Sequence, residues 1–260
     1  MSKIQVNNIE LDYEDYGNGK VLLLLHGLGS TKKDWDAQVP FFSKKYRVIA
    51  LDLRGHGAST RPDNAYGVGL MTEDIKAFLD QLEIKKATFV GFSMGGAVAF
   101  QMASSYPAYV ENLVIVNSGP DFNDMGSIGD DLLKNRTEFM ETKGLELLAE
   151  EISFNMFPEA HQVDLRNAFE IRCKNNDYNA YYQSFVTLME WGLGDKLKNI
   201  KTRTLVVASD MDYTPIGFKE EYVKRMYDAR LSVIKNSRHG VVIDQPDAFN
   251  EVLKRFLDDE

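Results

Sequence analysis

The sequence is poor in cysteine, with Cys173 as its single thiol among 260 residues. One cysteine excludes an internal disulfide framework and any cysteine-rich zinc site. Long apolar runs are also missing: the most apolar stretch, 89–103, is interrupted by Ser93, three glycines and Gln101, whereas a membrane helix needs roughly 18 or more apolar residues. The first ten residues lack the apolar segment of a signal peptide. We therefore expect a cytoplasmic protein without membrane insertion.

Positive charge is in deficit as well. The chain has 30 Lys and Arg against 39 Asp and Glu, for a formal net charge of −9. An acidic chain without a basic stripe argues against nucleic acid and anionic membranes as partners. Apolar residues make up 44% of the chain and charged residues 27%, which is typical of a globular domain and excludes a disordered or fibrous chain. The composition leaves the oligomeric state open.

Strand and helix patterns alternate along both ends of the chain. The predicted strands cover 3–6, 9–13, 21–25, 47–51, 87–91, 112–116, 204–208 and 231–234. The predicted helices cover 34–45, 72–82, 93–105, 218–227 and a last segment after Pro246. This alternation predicts an α/β fold, a mostly parallel twisted sheet with helices on both faces.

The alternation stops between 121 and 193, where the apolar spacing is helical and no strand is predicted. We therefore predict a core formed by 1–120 and 194–260, and a helical cap formed by 121–193 over the carboxyl edge of the sheet, where such sheets bind ligands. The predicted cap holds 14 acidic and 6 basic residues and so carries a net charge of −8. If that charge faces the site, it should disfavour anionic substrates.

The most informative motif is Gly-x-Ser-x-Gly at 91–95, which lies directly between a predicted strand and a predicted helix. A serine nucleophile needs this arrangement, because it projects from a sharp, strained turn that closes only if small residues flank it. The helix that follows aims its first N–H groups at the same place and favours developing negative charge there. The motif in this context predicts Ser93 as a nucleophile.

With this motif in place, the sequence resembles the α/β-hydrolase fold superfamily. Within it, the sequence is similar to capped single-domain serine hydrolases such as carboxylesterases. The resemblance covers nearly the whole chain except the cap. The matching segments besides 91–95 are His26-Gly27-Leu28-Gly29, the turn at 52–59, Asp212-Tyr213-Thr214-Pro215 and Ser237-Arg238-His239-Gly240. It implies an oxyanion hole formed by the backbone N–H groups of Leu28 and Met94.

A serine nucleophile needs a base within hydrogen-bond reach. Of the four histidines, His239 follows a predicted strand by a short polar loop and should therefore lie at the same sheet edge as Ser93. His26 and His56 lie in glycine-bounded loops, where a structural role is expected, and His161 lies in the cap. We predict His239 as the base.

The base in turn needs a carboxylate that fixes its tautomer. The loop after 204–208 offers both Asp210 and Asp212, and the family's spacing to the following proline favours Asp212. Some relatives take the acid from the loop after the preceding strand of the sheet, but that place holds Asn117 and Ser118 here. The resulting order, Ser93, Asp212 and His239, is the one expected for this fold.

These residues predict a serine hydrolase that cleaves small, mostly neutral carboxylic esters through an acyl-enzyme. No cluster of histidines and acids has metal-ligand spacing, so we expect neither metal nor organic cofactor. The same triad could instead cleave a carbon–carbon bond or open a lactone. A ligand receptor or non-catalytic scaffold on the same fold is the alternative from another class.

Overall fold

The computed structural model describes residues 2–259, which form one eight-stranded sheet in the order β1-β2-β4-β3-β5-β6-β7-β8. The strands are β1 (Ser2–Val6), β2 (Ile9–Tyr16), β3 (Val21–Leu25), β4 (Arg47–Leu51), β5 (Ala87–Phe92), β6 (Val110–Val116), β7 (Thr204–Ser209) and β8 (Ala229–Ile234). The β1–β2 and β2–β4 pairs are antiparallel and the other pairs are parallel. The predicted fold class is confirmed.

The α-helices connect these strands and cover the sheet. They are α1 (Gln38–Phe42), α2 (Val68–Gln81), α3 (Met94–Ser105), α4 (Ser127–Met156), α5 (Val163–Lys174), α6 (Tyr178–Met189), α7 (Ile216–Lys224), α8 (Val241–Asp244) and α9 (Pro246–Asp258). Helices α4 to α6 form an insertion between β6 and β7, where the sequence predicts a helical cap. The domain boundaries after residues 120 and 193 remain a prediction.

The sheet separates two apolar layers, because successive side chains of a strand point to opposite faces. On β3, Leu23 and Leu25 pack into the layer formed with α2 and α3, whereas Leu22 and Leu24 pack into the layer formed with α1 and α9. Both faces of the central strands are therefore buried, as expected for a parallel sheet. The continuous apolar runs seen in the sequence follow from this double burial.

The segment predicted as a single helix over 34–45 is divided in the structure. It forms a short 3₁₀ helix, Lys32–Trp35, followed by α1. Pro40 lies in the first turn of α1. A longer helix would place the proline ring against the carbonyl group of Asp36 and leave that carbonyl without its hydrogen bond. The single-helix prediction was wrong for this reason.

The insertion is helical throughout most of its length, and α4 has a break at Gly144, where φ is 84°. An isolated bridge between Asp121 and Gly192 brings the two ends of the insertion together. Within residues 2–259, no helix is both long enough and apolar enough to span a bilayer.

The turn between β5 and α3 is packed closely against neighbouring backbone. A Cβ atom added to Gly95 would lie 2.2 Å from the carbonyl oxygen of Leu25, and one added to Gly91 would lie 2.3 Å from that of Gly95. These neighbours are backbone atoms and cannot move aside as a side chain can. The two flanking glycines are therefore required by close backbone approach.

The first prediction concerns this packing. Gly95→Ala should lower the free energy of unfolding by about 3 kcal/mol or more, because the added methyl group meets backbone on β3. Gly217→Ala on α7 is the matched control, since nothing lies within 4 Å of a Cβ atom there; it should change stability by less than about 1 kcal/mol. Urea unfolding of both variants measures this, and similar stabilities would contradict the steric account.

Candidate active site

Ser93 occupies the turn between β5 and α3, with φ 52° and ψ −117°. A positive φ at a non-glycine residue is strained and persists only where the surroundings enforce it. Here the Ser93 N–H donates to Val116 O at 2.9 Å, and the Ser118 hydroxyl donates to Ser93 O at 2.7 Å. Both contacts come from the end of β6 or the residues after it, and they fix the nucleophile candidate at the carboxyl edge of the sheet.

The two amides predicted as an oxyanion hole are free to donate. Within residues 2–259, neither the Leu28 nor the Met94 N–H makes a hydrogen bond to protein. The loop that carries Leu28 is held by Asp34, whose carboxylate accepts from Gly27 N at 3.4 Å. Unpaired N–H groups beside a nucleophile are suited to bind a developing oxyanion. The assignment itself stays a prediction.

His239 lies in the loop after β8, and its Nδ1 is 2.8 Å from Asp212 Oδ1. Because a carboxylate only accepts, Nδ1 carries the proton when the imidazole is neutral, and Nε2 keeps the lone pair that a general base needs. The ring packs against Phe92, with 5.0 Å between centroids. Ser93 and His239 line the same cavity, so the structure brings together the residues that the sequence predicts.

The sequence did not reveal a buried lysine behind Asp212. Lys219 on α7 is fully buried, and its Nζ lies 2.7 Å from Asp212 Oδ2. The Thr214 hydroxyl donates to the same oxygen. Burial alone would raise the pKa of Asp212, but His239 and Lys219 outweigh it and lower that pKa to about 2. Burial lowers the pKa of Lys219 itself, and Asp212 opposes that decrease.

The other acid of this loop, Asp210, is exposed, and its carboxylate accepts from Ser237 N at 3.3 Å. The Asp210 carboxylate therefore binds the backbone of the loop that carries His239, and the His239 imidazole is bound by Asp212. Asn117, at the position where some relatives carry the acid, donates from Nδ2 to His239 O at 2.8 Å and to Ser209 Oγ at 2.6 Å. The Asn117 side chain thus connects the end of β7 to the histidine loop and acts as a positioning group. The signal in the sequence that could have suggested this role is the position of Asn117 directly after a predicted strand.

Tyr213 is a further neighbour that the sequence analysis did not single out. Its hydroxyl lies 3.4 Å from His239 Nε2, and the two rings pack with 4.5 Å between centroids. Tyr213 and Ser93 line the same cavity. Tyr213 therefore contacts the histidine that the sequence predicts as the base, in the cavity of the predicted nucleophile.

The other histidines lie elsewhere. His26 is fully buried; its Nδ1 donates to Gly27 O at 2.7 Å, and its Nε2 accepts from Leu53 N at 3.0 Å. His56 is also buried, with Nδ1 3.0 Å from Arg54 O, and burial lowers its pKa to about 3. His161 is exposed in the insertion. Between residues 2 and 259 no cluster of three or more His, Cys, Asp or Glu side chains is arranged to hold a metal ion.

A cavity of about 610 Å³ lies between the sheet edge and the insertion. The sheet edge contributes Leu28, Ser93 and His239, and most of the remaining wall consists of apolar and aromatic side chains from α4 and α6. This volume lies within the range of pockets that hold small molecules. The shape of the cavity therefore depends largely on the insertion.

The sequence model of the α/β-hydrolase fold family matches residues 20–142. The chain is 26% identical to 3-oxoadipate enol-lactonase 2 of Acinetobacter baylyi, over 97% of this chain and 96% of that protein. It is 29% identical to 2-hydroxy-6-oxo-6-phenylhexa-2,4-dienoate hydrolase of Burkholderia cepacia, over 97% and 92% of the two chains. An esterase from Exiguobacterium antarcticum superposes with a TM-score of 0.88 at 25% identity, over 99% of both chains.

With the strand order, the turn at Ser93 and these matches, the chain has the α/β-hydrolase fold. The resemblance inferred from the sequence motifs is confirmed at this level. The named relatives include a lactonase, a carbon–carbon bond hydrolase and an esterase, so the fold alone leaves the substrate open.

The second prediction concerns the buried ion pair. Lys219→Met removes the cation from Asp212 and should lower the free energy of unfolding at pH 7 by about 3–5 kcal/mol, because a buried carboxylate loses a charged partner. The folded-state pKa of Asp212 is about 2, below its ordinary value of 3.8. The stability linked to Asp212 is therefore present above about pH 4 and is lost towards pH 2.

Urea unfolding at a series of pH values tests this prediction. The difference in the free energy of unfolding between wild type and Lys219→Met should become smaller as the pH falls from about 4, wherever both proteins remain folded. Lys224→Met on the same helix is the control, because Lys224 is exposed and pairs with Glu221; it should cost less than about 1 kcal/mol. Equal decreases in the free energy of unfolding of the two variants would contradict a stabilising role of the Lys219–Asp212 pair.

Proposed function

We propose that the protein is a serine hydrolase that cleaves small carboxylic esters through an acyl-enzyme, with Ser93 as nucleophile, His239 as base and Asp212 as the orienting acid. The observation that carries the proposal is the 2.8 Å contact between His239 Nδ1 and Asp212 Oδ1, made behind the cavity that Ser93 and His239 line. A receptor or scaffold would have no need for this arrangement of groups.

In the acylation step the Ser93 hydroxyl oxygen attacks the ester carbonyl carbon, and His239 Nε2 accepts the hydroxyl proton. The carbonyl oxygen becomes an oxyanion, which the Leu28 and Met94 N–H groups are free to bind. Collapse of the tetrahedral intermediate breaks the bond to the alcohol oxygen, and the imidazolium returns its proton to that oxygen. Asp212 stabilises the imidazolium through Nδ1.

In the second step water replaces the alcohol. His239 Nε2 accepts a proton from water, and the water oxygen attacks the acyl carbon. The second tetrahedral intermediate collapses when the bond from the acyl carbon to Ser93 Oγ breaks and the imidazolium returns its proton to Oγ, which releases the carboxylic acid and free Ser93. Every proton is handled by His239, so neither a metal nor an organic cofactor is needed. Asp212, held by Lys219 and Thr214, keeps the imidazole in the tautomer that both steps use.

Lactone opening is the second candidate, because it uses the same attack on an acyl carbon and because a relative aligned over most of both chains is named as an enol-lactonase. Carbon–carbon bond cleavage in a dienoic ketone is the alternative suggested by another relative. A panel of p-nitrophenyl esters of increasing acyl length, with lactones and dienoic ketones in parallel, separates the three. Turnover of the ester series with little activity on the other classes is the expected result.

The third prediction tests the nucleophile and the base. Ser93→Ala and His239→Ala should each lower kcat on the best ester by about 10⁴-fold or more, because the activated nucleophile is lost. His161→Ala is the matched control, since His161 is exposed in the insertion and should leave kcat unchanged. Circular dichroism checks that each variant is folded. Retention of a tenth of the wild-type activity by either active-site variant would refute the assignment.

The fourth prediction separates the two acids. Asp212→Asn should lower kcat far more than Asp210→Asn, because an amide at position 212 can hold His239 in the wrong tautomer, whereas the Asp210 carboxylate accepts from the backbone N–H of Ser237. The two kcat values are compared on the same ester. The reverse order would transfer the orienting role to Asp210.

A further inference from the structure

An arginine of the insertion faces the cavity of Ser93. Arg136 on α4 lines this cavity, and its guanidinium carbon lies 4.8 Å from the centre of the Phe185 ring. Phe185, on α6, is buried and lines the same cavity. Stacking on an aromatic face is a usual way to hold a guanidinium group while its N–H groups stay free for a ligand. The structure thus positions a cation in an otherwise mostly apolar wall.

No acidic side chain neutralises this cation. In the part of the chain from 2 to 259, no Asp or Glu oxygen lies within 4 Å of the Arg136 guanidinium, whereas Arg172 of the same insertion pairs with Asp34. A nearby polar group is the phenol of Tyr181: burial raises the pKa of Tyr181, and Arg136 opposes that increase. A guanidinium has five N–H donors, so one phenolic partner leaves donors unused.

Arg136 shares its cavity with the reacting groups. Ser93, Tyr213 and His239 line the same cavity as Arg136. A ligand with its carbonyl at Ser93 would therefore lie in one cavity with this cation.

The charges that line the cavity differ in sign from the charge of the insertion as a whole. The insertion is strongly acidic, but the cavity wall contains Arg136 and Arg238 and a single carboxylate, that of Glu151. Arg238 likewise has no acidic oxygen within 4 Å in the range 2–259, and Glu151 is exposed. Most of the acidic residues of the insertion are thus outside the wall of the site, and the expectation of neutral substrates loses its basis.

We infer that the acyl part of the substrate carries a carboxylate, which Arg136 binds while Ser93 attacks the ester or lactone carbonyl. This inference rests on the proposed function and narrows its substrate class to monoesters of dicarboxylic acids and to lactones that bear a carboxylate. Binding through the acyl part has a chemical advantage, because the acyl group stays on Ser93 through both steps and the alcohol leaves after the first. Guanidinium and carboxylate match in shape and form paired charge-assisted hydrogen bonds.

The fifth prediction compares two esters that differ only at the far end of the acyl chain. The p-nitrophenyl monoester of adipic acid ends in a carboxylate, and the p-nitrophenyl ester of adipamic acid ends in an amide of the same size. Wild-type kcat/KM should favour the carboxylate by about 10-fold to 100-fold, the range for a hydrogen bond to a charged group. The corresponding pair from suberic acid tests the reach of the cavity.

Arg136→Gln should abolish this preference by lowering kcat/KM for the anionic ester while it leaves the amide ester nearly unchanged, and Arg136→Lys should restore part of it. Lys134→Gln is the matched control, because it removes one positive charge from the same helix at an exposed site paired with Glu138, and it should keep the wild-type ratio. An equal loss on both esters in Arg136→Gln would indicate a structural role and overturn the inference.

A binding measurement separates this inference from the proposed function. Monomethyl adipate and methyl adipamate are titrated into Ser93→Ala, which cannot turn them over, and ligand-observed NMR gives both dissociation constants. Tighter binding of monomethyl adipate, lost in Ser93→Ala/Arg136→Gln, supports the carboxylate site even if no ester is hydrolysed. Equal dissociation constants for the two ligands would overturn the inference that Arg136 binds a carboxylate. The proposed esterase activity would still stand if the neutral ester is a good substrate.

Discussion

The packing of the Ser93 turn against the ends of β3 and β6 is the constraint on which the site depends. Gly95 lies so close to the Leu25 carbonyl that no side chain fits between them, and the strained backbone of Ser93 is held by Val116 and Ser118. Because these contacts involve backbone atoms of buried elements, the position of the serine is a property of the sheet. The loops around it can vary without moving it.

The orientation of the histidine depends on charged partners of Asp212. A carboxylate with no exposed surface is costly unless it is paired and hydrogen-bonded, and Asp212 has His239 on one oxygen and Lys219 and Thr214 on the other. This division leaves Oδ1 for the imidazole and fixes the direction from which it accepts. The lysine thus connects α7, on the edge of the core, to the orientation of a histidine in another loop.

The insertion adds a separate set of constraints. It supplies most of the cavity wall, and its aromatic side chains hold Arg136 where a small molecule would lie. Net charge summed over a segment says little about a site inside it, because charges on the solvent face of an amphipathic helix are screened and point away from the cavity. The acidic surface and the basic residues of the cavity wall can therefore coexist in one helical layer.

Features that depend on interactions between residues close in the chain could be predicted from the sequence, and features that depend on distant residues could not. Apolar periodicity and the glycines around Ser93 are local signals, and they predicted the α/β fold class, the nucleophile turn and the helical insertion. The division of 34–45 could also have been foreseen from Pro40. The contact between Asn117 and the carbonyl of His239 spans 122 residues, and no local pattern encodes it.

The sequence by itself determined that this chain forms an α/β-hydrolase sheet with a serine at a strained turn, because strand alternation and glycine sterics act between neighbours in the chain. Only the tertiary structure decided what surrounds that serine. Lys219 meets Asp212, and Arg136 meets the cavity, because of the angles at which α7 and α4 pack on other elements. Those angles follow from side-chain packing over the whole core and insertion.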